Sequence, residues 1–290
     1  MRHHYISPLR YPGGKAALAP FFAELMATQR PRPHIYVEPF AGGGGAALRL
    51  LYGEYVDRII LNDLNPGIAA FWRSVFWHTD ELIKLISGCE LSIDAWQIYH
   101  DQYTSQLCSD LELGFATLYL NRTNRSGILD ARPIGGLQQT GKWKIGARFN
   151  RDGLIERVRI LGSYRNRVEI LQSDALDLLA TMATKRVFLY IDPPYLTQGD
   201  DLYMNTLSWN DHEKLSQILI GRHNHWVLTY DVDPRVPNAL YRDLRCAEFS
   251  IKHTAAVQQM GNEYAVFSPR LRVESIDKLS RGYADWLTGG

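Results

Sequence analysis

A short apolar run, Ile35-Tyr36-Val37, stops at Glu38-Pro39-Phe40-Ala41 and gives way at once to four consecutive glycines at residues 42–45. The succession reads as strand, tight turn, helix. Without Cβ atoms the turn lets backbone approach a ligand, and the N–H groups opening the next helix favour anionic moieties, which suggests a nucleotide-type site. Residues 46–52 carry helix formers at apolar spacing, and residues 58–61 form a second β-like run ending in Asn62-Asp63-Leu64-Asn65-Pro66, completing a βαβ unit. Val168–Leu171 and Val187–Ile191 read as buried strands separated by a helical pattern over 175–183, and a strand over 226–230 follows a helix over 211–220. This alternation predicts an α/β fold with a doubly wound, mostly parallel sheet, whose ligands lie beyond the carboxyl ends of its strands. Residues 251–268 read as two strands around Met260-Gly261-Asn262, forming an antiparallel edge of the sheet.

The alternation breaks between about residues 76 and 165, which reads as an inserted, mainly helical domain between a first catalytic part, 1–75, and a second, 166–290. The 290 residues carry 32 Lys+Arg against 31 Asp+Glu, a net charge of +1 that excludes binding a polyanion through the overall field alone. Locally the balance differs. Residues 121–167 hold 11 basic against 3 acidic residues, +8, leaving −7 for the rest. Such asymmetry fits a face that meets a polyanion, and equally a solvated surface with scattered ion pairs. Cys89, Cys108 and Cys246 lie far apart without a C-x-x-C pair, and His223 and His225 lack partners at ligand spacing, so neither a disulfide framework nor a metal site is expected. The amino-terminal stretch lacks a secretory apolar region and the apolar runs are too short to span a bilayer, so a soluble, cytoplasmic protein is expected.

The string Asp192-Pro193-Pro194-Tyr195 directly follows the Val187–Ile191 run. Two prolines withhold backbone donors and push Asp192 toward extended geometry. A carboxylate plus the Pro193 carbonyl can accept both hydrogens of an amino group, and Tyr195 offers a ring for stacking a flat base. The plainer alternative is a strand terminus whose Asp caps the next turn. Gly42, Gly44 and Ala47 also fit G-x-G-x-x-A loosely, with Asp63 near the offset of a ribose-binding acid, so a nicotinamide oxidoreductase is a rival reading.

Taken together, Arg10-Tyr11-Pro12-Gly13-Gly14-Lys15, Glu38-Pro39-Phe40-Ala41-Gly42-Gly43-Gly44, Asn62-Asp63-Leu64-Asn65 and Asp192-Pro193-Pro194-Tyr195 resemble, in order, the motifs of the Dam-like family of adenine-specific DNA methyltransferases, across most of the chain. Asn121-Arg122-Thr123-Asn124-Arg125-Ser126-Gly127 and Arg148-Phe149-Asn150 resemble the family's inserted DNA-recognition region. The resemblance implies a Rossmann-like methyltransferase fold and S-adenosylmethionine as cofactor. It places Tyr11, Gly14 and Lys15 over the cofactor's methionine end, Lys15 supplying charge to its carboxylate. Glu38, Phe40, Gly42 and Gly44 would run along the cofactor, Asp63 would bind its ribose and Asp174 would meet its adenine, with Asp192 touching the cofactor as well. Asp63 as a cap before Pro66, and Asp174 as the N-cap of the helix from 175, are the structural alternatives.

The resemblance also assigns Asp192, Pro193 and Tyr195 to catalysis on the exocyclic amine of an adenine flipped out of duplex DNA. Asn121, Arg122, Arg125, Ser126, Lys142, Lys144, Arg148 and Asn150 are then the candidates for DNA contact. A restriction or defence partner is compatible with the sequence, as are an RNA or protein-glutamine substrate and a non-catalytic DNA-binding module.

Overall fold

The computed structural model describes residues 6–11, 14–182, 186–194, 196, 207–254, 258–280 and 282–289. Its strands are β1 (Ile35–Glu38), β2 (Arg58–Asn62), β3 (Val168–Leu171), β4 (Val187–Ile191), β5 (His225–Asp231), β6 (Arg245–Thr254), β7 (Gln258–Phe267) and β8 (Ala284–Thr288). They form one sheet in the order β3-β2-β1-β4-β5-β7-β6-β8. The first five are parallel, β7 enters antiparallel between β5 and β6, and β8 closes antiparallel on β6. The chain winds outward from β1 through β2 to β3 and then returns to β4 on the other side of β1. A crevice therefore opens above the carboxyl ends of β1 and β4, where this class of sheet binds ligands.

The helices are α1 (Ala19–Thr28), α2 (Gly45–Tyr52), α3 (Pro66–Trp77), α4 (Thr79–Gly88), α5 (Ile93–Ser105), α6 (Asp110–Thr123), α7 (Arg151–Gly162), α8 (Ala175–Thr181) and α9 (Trp209–Ile220). Successive strand residues face opposite layers. Tyr36, Phe188 and Tyr190 join Phe22 of α1 and Leu48 of α2 in one cluster, while Val37, Leu189 and Ile191 join Leu179 of α8 and Leu215 of α9 in another. Helices cover both faces of the parallel strands, as doubly wound. The helices of the expected insert share the first core with α3: Ile86, Phe115, Leu118 and Val158 lie in the same cluster as Phe71 and Phe76. Close crossing of α3 and α6 depends on Gly114, where a Cβ would stand 2.6 Å from the Ala70 carbonyl oxygen.

Local signals set the helix starts. Pro66 occupies the first turn of α3 and the Asn65 side chain accepts from the Gly67 and Ile68 amides. Ser109 with Glu112 and Ser208 with Asp211 form capping boxes at α6 and α9. The carboxyl-terminal expectation needs correction. Met260, Gly261 and Asn262 are not a turn but lie inside β7, opposite Lys252, Ile251 and Ser250 of β6. This hairpin is also not the sheet's edge, because β8, unforeseen, covers it. A glycine followed by asparagine carries a turn signal that ladder pairing overrides. The helix expected over 175–183 ends at Thr181, and Ala183 lies outside the described residues. Among the described residues no helix is long and apolar enough to cross a membrane.

Candidate active site

A cavity of about 760 Å³ sits where the carboxyl ends of β1, β2 and β4 meet the amino-terminal segment and the end of α6. The glycine turn is shaped by Tyr11. A Cβ on Gly42 would lie 2.4 Å from the Tyr11 Cζ, and one on Gly43 would lie 2.7 Å from the Tyr11 Cβ. Gly42 and Gly44 also hold φ of +46° and +57°, which L side chains rarely adopt. The Gly42 amide donates to Asp63 Oδ2 at 2.8 Å and its carbonyl accepts from Trp72 Nε1 at 2.9 Å, which ties the turn to the end of β2.

Asp63 Oδ1 accepts from the Asn65 amide at 2.9 Å. The cap before Pro66 is thus Asn65, and the Asp63 carboxylate is oriented into the cavity wall. Burial lifts its pKa to about 6, opposed by the two amides it accepts from. Glu38, at the end of β1, is 4% exposed and accepts from the Ala47 amide at 3.0 Å. Burial, with a smaller push from the charge of Asp192, raises its pKa to about 8, so it is mostly neutral at pH 7. Asp174 accepts from the Leu176 and Asp177 amides at 2.8 and 3.1 Å, which makes it the N-cap of α8, and it also lines the cavity.

Asp192 leaves the end of β4 into a cluster of donors. Lys15 Nζ lies 3.1 Å from its Oδ1 and 3.0 Å from its Oδ2, and the Thr229 hydroxyl donates to Oδ1 at 2.7 Å. The Tyr190 hydroxyl is 2.7 Å from Thr229 Oγ1, so a short chain of hydroxyls ends on the carboxylate. Lys15 also pairs with Glu263 of β7 at 3.3 Å. The Lys15 and Glu263 side chains are 3% and 1% exposed, whereas that of Asp192 is 22% exposed. The ammonium expected at the cofactor carboxylate is thus placed against two carboxylates of the protein. These fix Asp192 from below and leave its open side to the cavity. Sequence reasoning did not assign Thr229 and Glu263 to the site; the available signal was a polar residue inside a strand, Thr229 between Leu228 and Tyr230 in β5 and Glu263 before Tyr264 in β7.

The expected cofactor residues Tyr11, Gly14, Lys15, Glu38, Phe40, Gly44, Asp63, Asp174 and Asp192 all line the cavity. Gly42 lies behind the wall and acts through its bond to Asp63. Pro193 is buried, Pro194 lines the cavity, and Tyr195, with Pro12 and Gly13, lies outside the described residues. Of the DNA candidates, Asn121, Arg122, Ser126 and Arg148 line the same cavity. Asn121 is 1% exposed, accepts from the Arg10 amide at 2.7 Å and donates to the Arg10 and Gly127 carbonyls at 2.8 Å each, so both its amide hydrogens are spent inside the protein. Arg125, Lys142 and Lys144 are exposed away from the cavity, and Asn150 accepts from the Gly153 amide as the N-cap of α7.

A sheet wound 3-2-1-4-5 with its acids and glycine turn gathered over the switch point has the architecture of a Rossmann-like methyltransferase. The family model described as D12 class N6 adenine-specific DNA methyltransferase matches residues 11–260, and the chain belongs to that family. It is 24% identical over 201 residues to the type II methyltransferase M.MjaIII of Methanocaldococcus jannaschii, covering 64% of this chain and 68% of that one. It is 25% identical over 226 residues to the modification methylase StsI of Streptococcus sanguinis, covering 72% of this chain but 30% of that longer one. Among solved structures it is similar to the rRNA methyltransferase aviRa of Streptomyces viridochromogenes, with a TM-score of 0.36, 15% identity, and coverage of 89% and 86% of the two chains.

Proposed function

We propose that this member of an adenine-specific DNA methyltransferase family moves a methyl group from S-adenosylmethionine to the exocyclic amine of an adenine flipped out of duplex DNA. The observation that carries the reading is the Asp192 carboxylate, fixed by Lys15 and Thr229 at the end of β4 and open to the cavity. When bound, S-adenosylmethionine supplies an electrophilic methyl group. The cavity fits such a group in its donor set. The Asp63 carboxylate, already oriented by two amides, has acceptor capacity left for ribose hydroxyls, and the wall formed by Tyr11, Phe40 and Gly44 is apolar enough for the rest.

An adenine amine is conjugated with its ring and is a poor nucleophile. Asp192 and the Pro193 carbonyl accept its two hydrogens and localise the lone pair on nitrogen, and one of these hydrogens is lost to solvent as a proton once nitrogen carries the methyl group. No covalent intermediate is needed, so the residues contribute positioning and electrostatic stabilisation. Tyr195 is assigned to stacking on the flipped base, and residues 76–165 to holding the duplex. The nicotinamide reading leaves the fixed Asp192 and the cationic cavity wall without a role.

The test is to incubate the protein with unmethylated bacterial DNA and S-adenosylmethionine, digest to nucleosides and quantify methylated bases by mass spectrometry. N6-methyladenine that disappears in Asp192→Ala, with S-adenosylhomocysteine still raising the Tm, supports the proposal. Methylcytosine in its place, or full turnover by Asp192→Ala, refutes it.

A further inference from the structure

The wall of the cavity facing away from the strand ends is built from arginines. Arg10 in the amino-terminal segment, Arg122 in the last turn of α6 and Arg157 on α7 all line it, with the exposed Arg148 at its rim. Arg122 is 9% exposed. Its Nη2 donates to the Pro8 carbonyl, and its Nε is buried with no hydrogen-bond partner among the described residues. Arg10 Nη1 reaches the Asn124 carbonyl at 3.4 Å and Arg157 Nη1 reaches the Ser7 carbonyl at 3.2 Å. Among the described residues no carboxylate lies within ion-pair distance of any of the four, the nearest influence being the charge of Glu156, which acts on Arg157 against the effect of its burial.

Like charges are gathered there at a cost. Arg122 has its pKa lowered to about 9 by burial first and then by the charges of Arg157 and Arg10. Burial first, and then the charge of Arg148, lowers the pKa of Arg10 as well. A buried guanidinium with an open donor, set beside other cations and bonded among the described residues to one carbonyl, favours an anion. The planar fork of guanidinium matches the paired oxygens of a phosphodiester. Asp63 and Asp192, at the ends of β2 and β4, line the same cavity. A ligand that spans the cavity is therefore amine-bearing at one end and anionic at the other.

We infer that Arg10, Arg122 and Arg157 form an anion subsite that takes the phosphate of the same nucleotide whose base amine is presented to Asp192. The inference rests on the proposed function and names the substrate group recognised there. The subsite makes entry of a base depend on its backbone, so a nucleotide is held and a free nucleoside is not. Phosphate contacts position a substrate rather than read its sequence, so the arginine wall fixes depth of insertion and leaves recognition to other residues.

The experiment compares 2′-deoxyadenosine with 2′-deoxyadenosine 5′-monophosphate as ligands of the full chain, read by ligand-observed NMR titration, for wild type, Arg157→Gln and Arg10→Gln. Wild type is expected to bind the monophosphate at least tenfold more tightly, and either substitution to bring the two ligands within about twofold of each other. Affinity for S-adenosylhomocysteine stays within twofold. Melting temperature provides a second readout, since removing one of three crowded cations offsets the lost bond to Ser7 or Asn124 and keeps Tm within a few degrees of wild type.

Equal binding of the two ligands by wild type, or a preference that survives both substitutions, overturns the inference. A fall in S-adenosylhomocysteine affinity with the monophosphate preference intact also overturns it, and would move the anion to the cofactor's carboxylate. The binding readout is separate from turnover. Monophosphate discrimination without adenine methylation defeats the proposed function and leaves the subsite, and methylation without discrimination does the reverse.

Discussion

Replacing Thr229 with valine isolates the hydroxyl that joins β5 to Asp192. Thr229 is fully buried and valine keeps its branched shape, so packing changes little. Two hydrogen bonds are lost, one to the Asp192 carboxylate at 2.7 Å and one with the Tyr190 hydroxyl at 2.7 Å. A hydrogen bond to a charged acceptor contributes about 1.5–3 kcal/mol, and a buried hydroxyl left without its partner costs about 1–3 kcal/mol. Asp192 keeps two contacts from Lys15, which argues for the lower half of each range. The expected stability loss is about 2–4 kcal/mol, or roughly 3–7 °C in Tm for a chain of this size.

If the Thr229 bond orients Asp192 for the amine, about 1.5–3 kcal/mol is also lost from the transition state, a fall in kcat of about ten- to a hundredfold. The KM values and S-adenosylhomocysteine affinity should change by less than about twofold, because neither ligand touches the hydroxyl. Thr229→Ser should behave almost as wild type. Adding Tyr190→Phe to Thr229→Val removes the orphaned partner, so the double variant should recover stability without recovering kcat. Single-turnover methylation and calorimetry measure the two halves. A valine variant with kcat within twofold of wild type, or a serine variant equally impaired, would refute an orienting role for the hydroxyl.

Glu38 gives a pH signature. Its pKa is about 8 in the folded protein against 4.5 as the ordinary value, so its contribution to stability is complete below about pH 4.5 and is lost as pH rises to about 8. The slope is up to about 1.4 kcal/mol per pH unit. Glu38→Gln should flatten that part of the stability curve in urea titrations from pH 5 to 8, and an unchanged slope contradicts the assignment. Asp63, with a pKa of about 6, should make S-adenosylhomocysteine binding weaken below that pH as the carboxylate is protonated, by up to tenfold per unit. Calorimetric titration of Asp63→Asn should show no such limb. Gly114→Ala places a methyl 2.6 Å from the Ala70 carbonyl oxygen, a backbone atom that cannot swing away, and should cost about 1–3 kcal/mol without altering ligand affinity.

The parallel strands were legible because each is a short apolar run ending in a polar or glycine-rich break; β3 and β4 have the boundaries read from the residues alone. Motif residues were legible for a related reason, since backbone turns at strand ends require particular residue types in tight sequence. Thr229 and Glu263 were not legible, because their role comes from β5 and β7 being brought beside β4. They lie 37 and 71 positions from Asp192 in the chain, and no local pattern records that pairing. The turn misplaced at Gly261 failed similarly: its partner Ile251 lies across the ladder, and the residue's local preference yields to that pairing.

The charge excess of residues 121–167 shows how a count over sequence overstates a binding face. Arg151 donates to the Ser87 and Cys89 carbonyls at 3.0 and 2.9 Å, completing the carboxyl end of α4, where helix carbonyls lack partners. Arg167 joins Glu54 at 2.8 Å and the Asp57 and Val56 carbonyls at 2.7 and 2.6 Å, fastening the turn before β2. These cations are structural. Arg122 and Arg157 turn inward to the cavity, and Arg125, Lys142 and Lys144 are exposed outside it. One basic segment thus separates into three uses, and what distinguishes the second from the first is that its side chains line the cavity. For the proposed chemistry the separation is useful: inward arginines act on the inserted nucleotide and should alter its binding specifically, whereas outer residues act on the duplex and should alter mainly the salt dependence of binding.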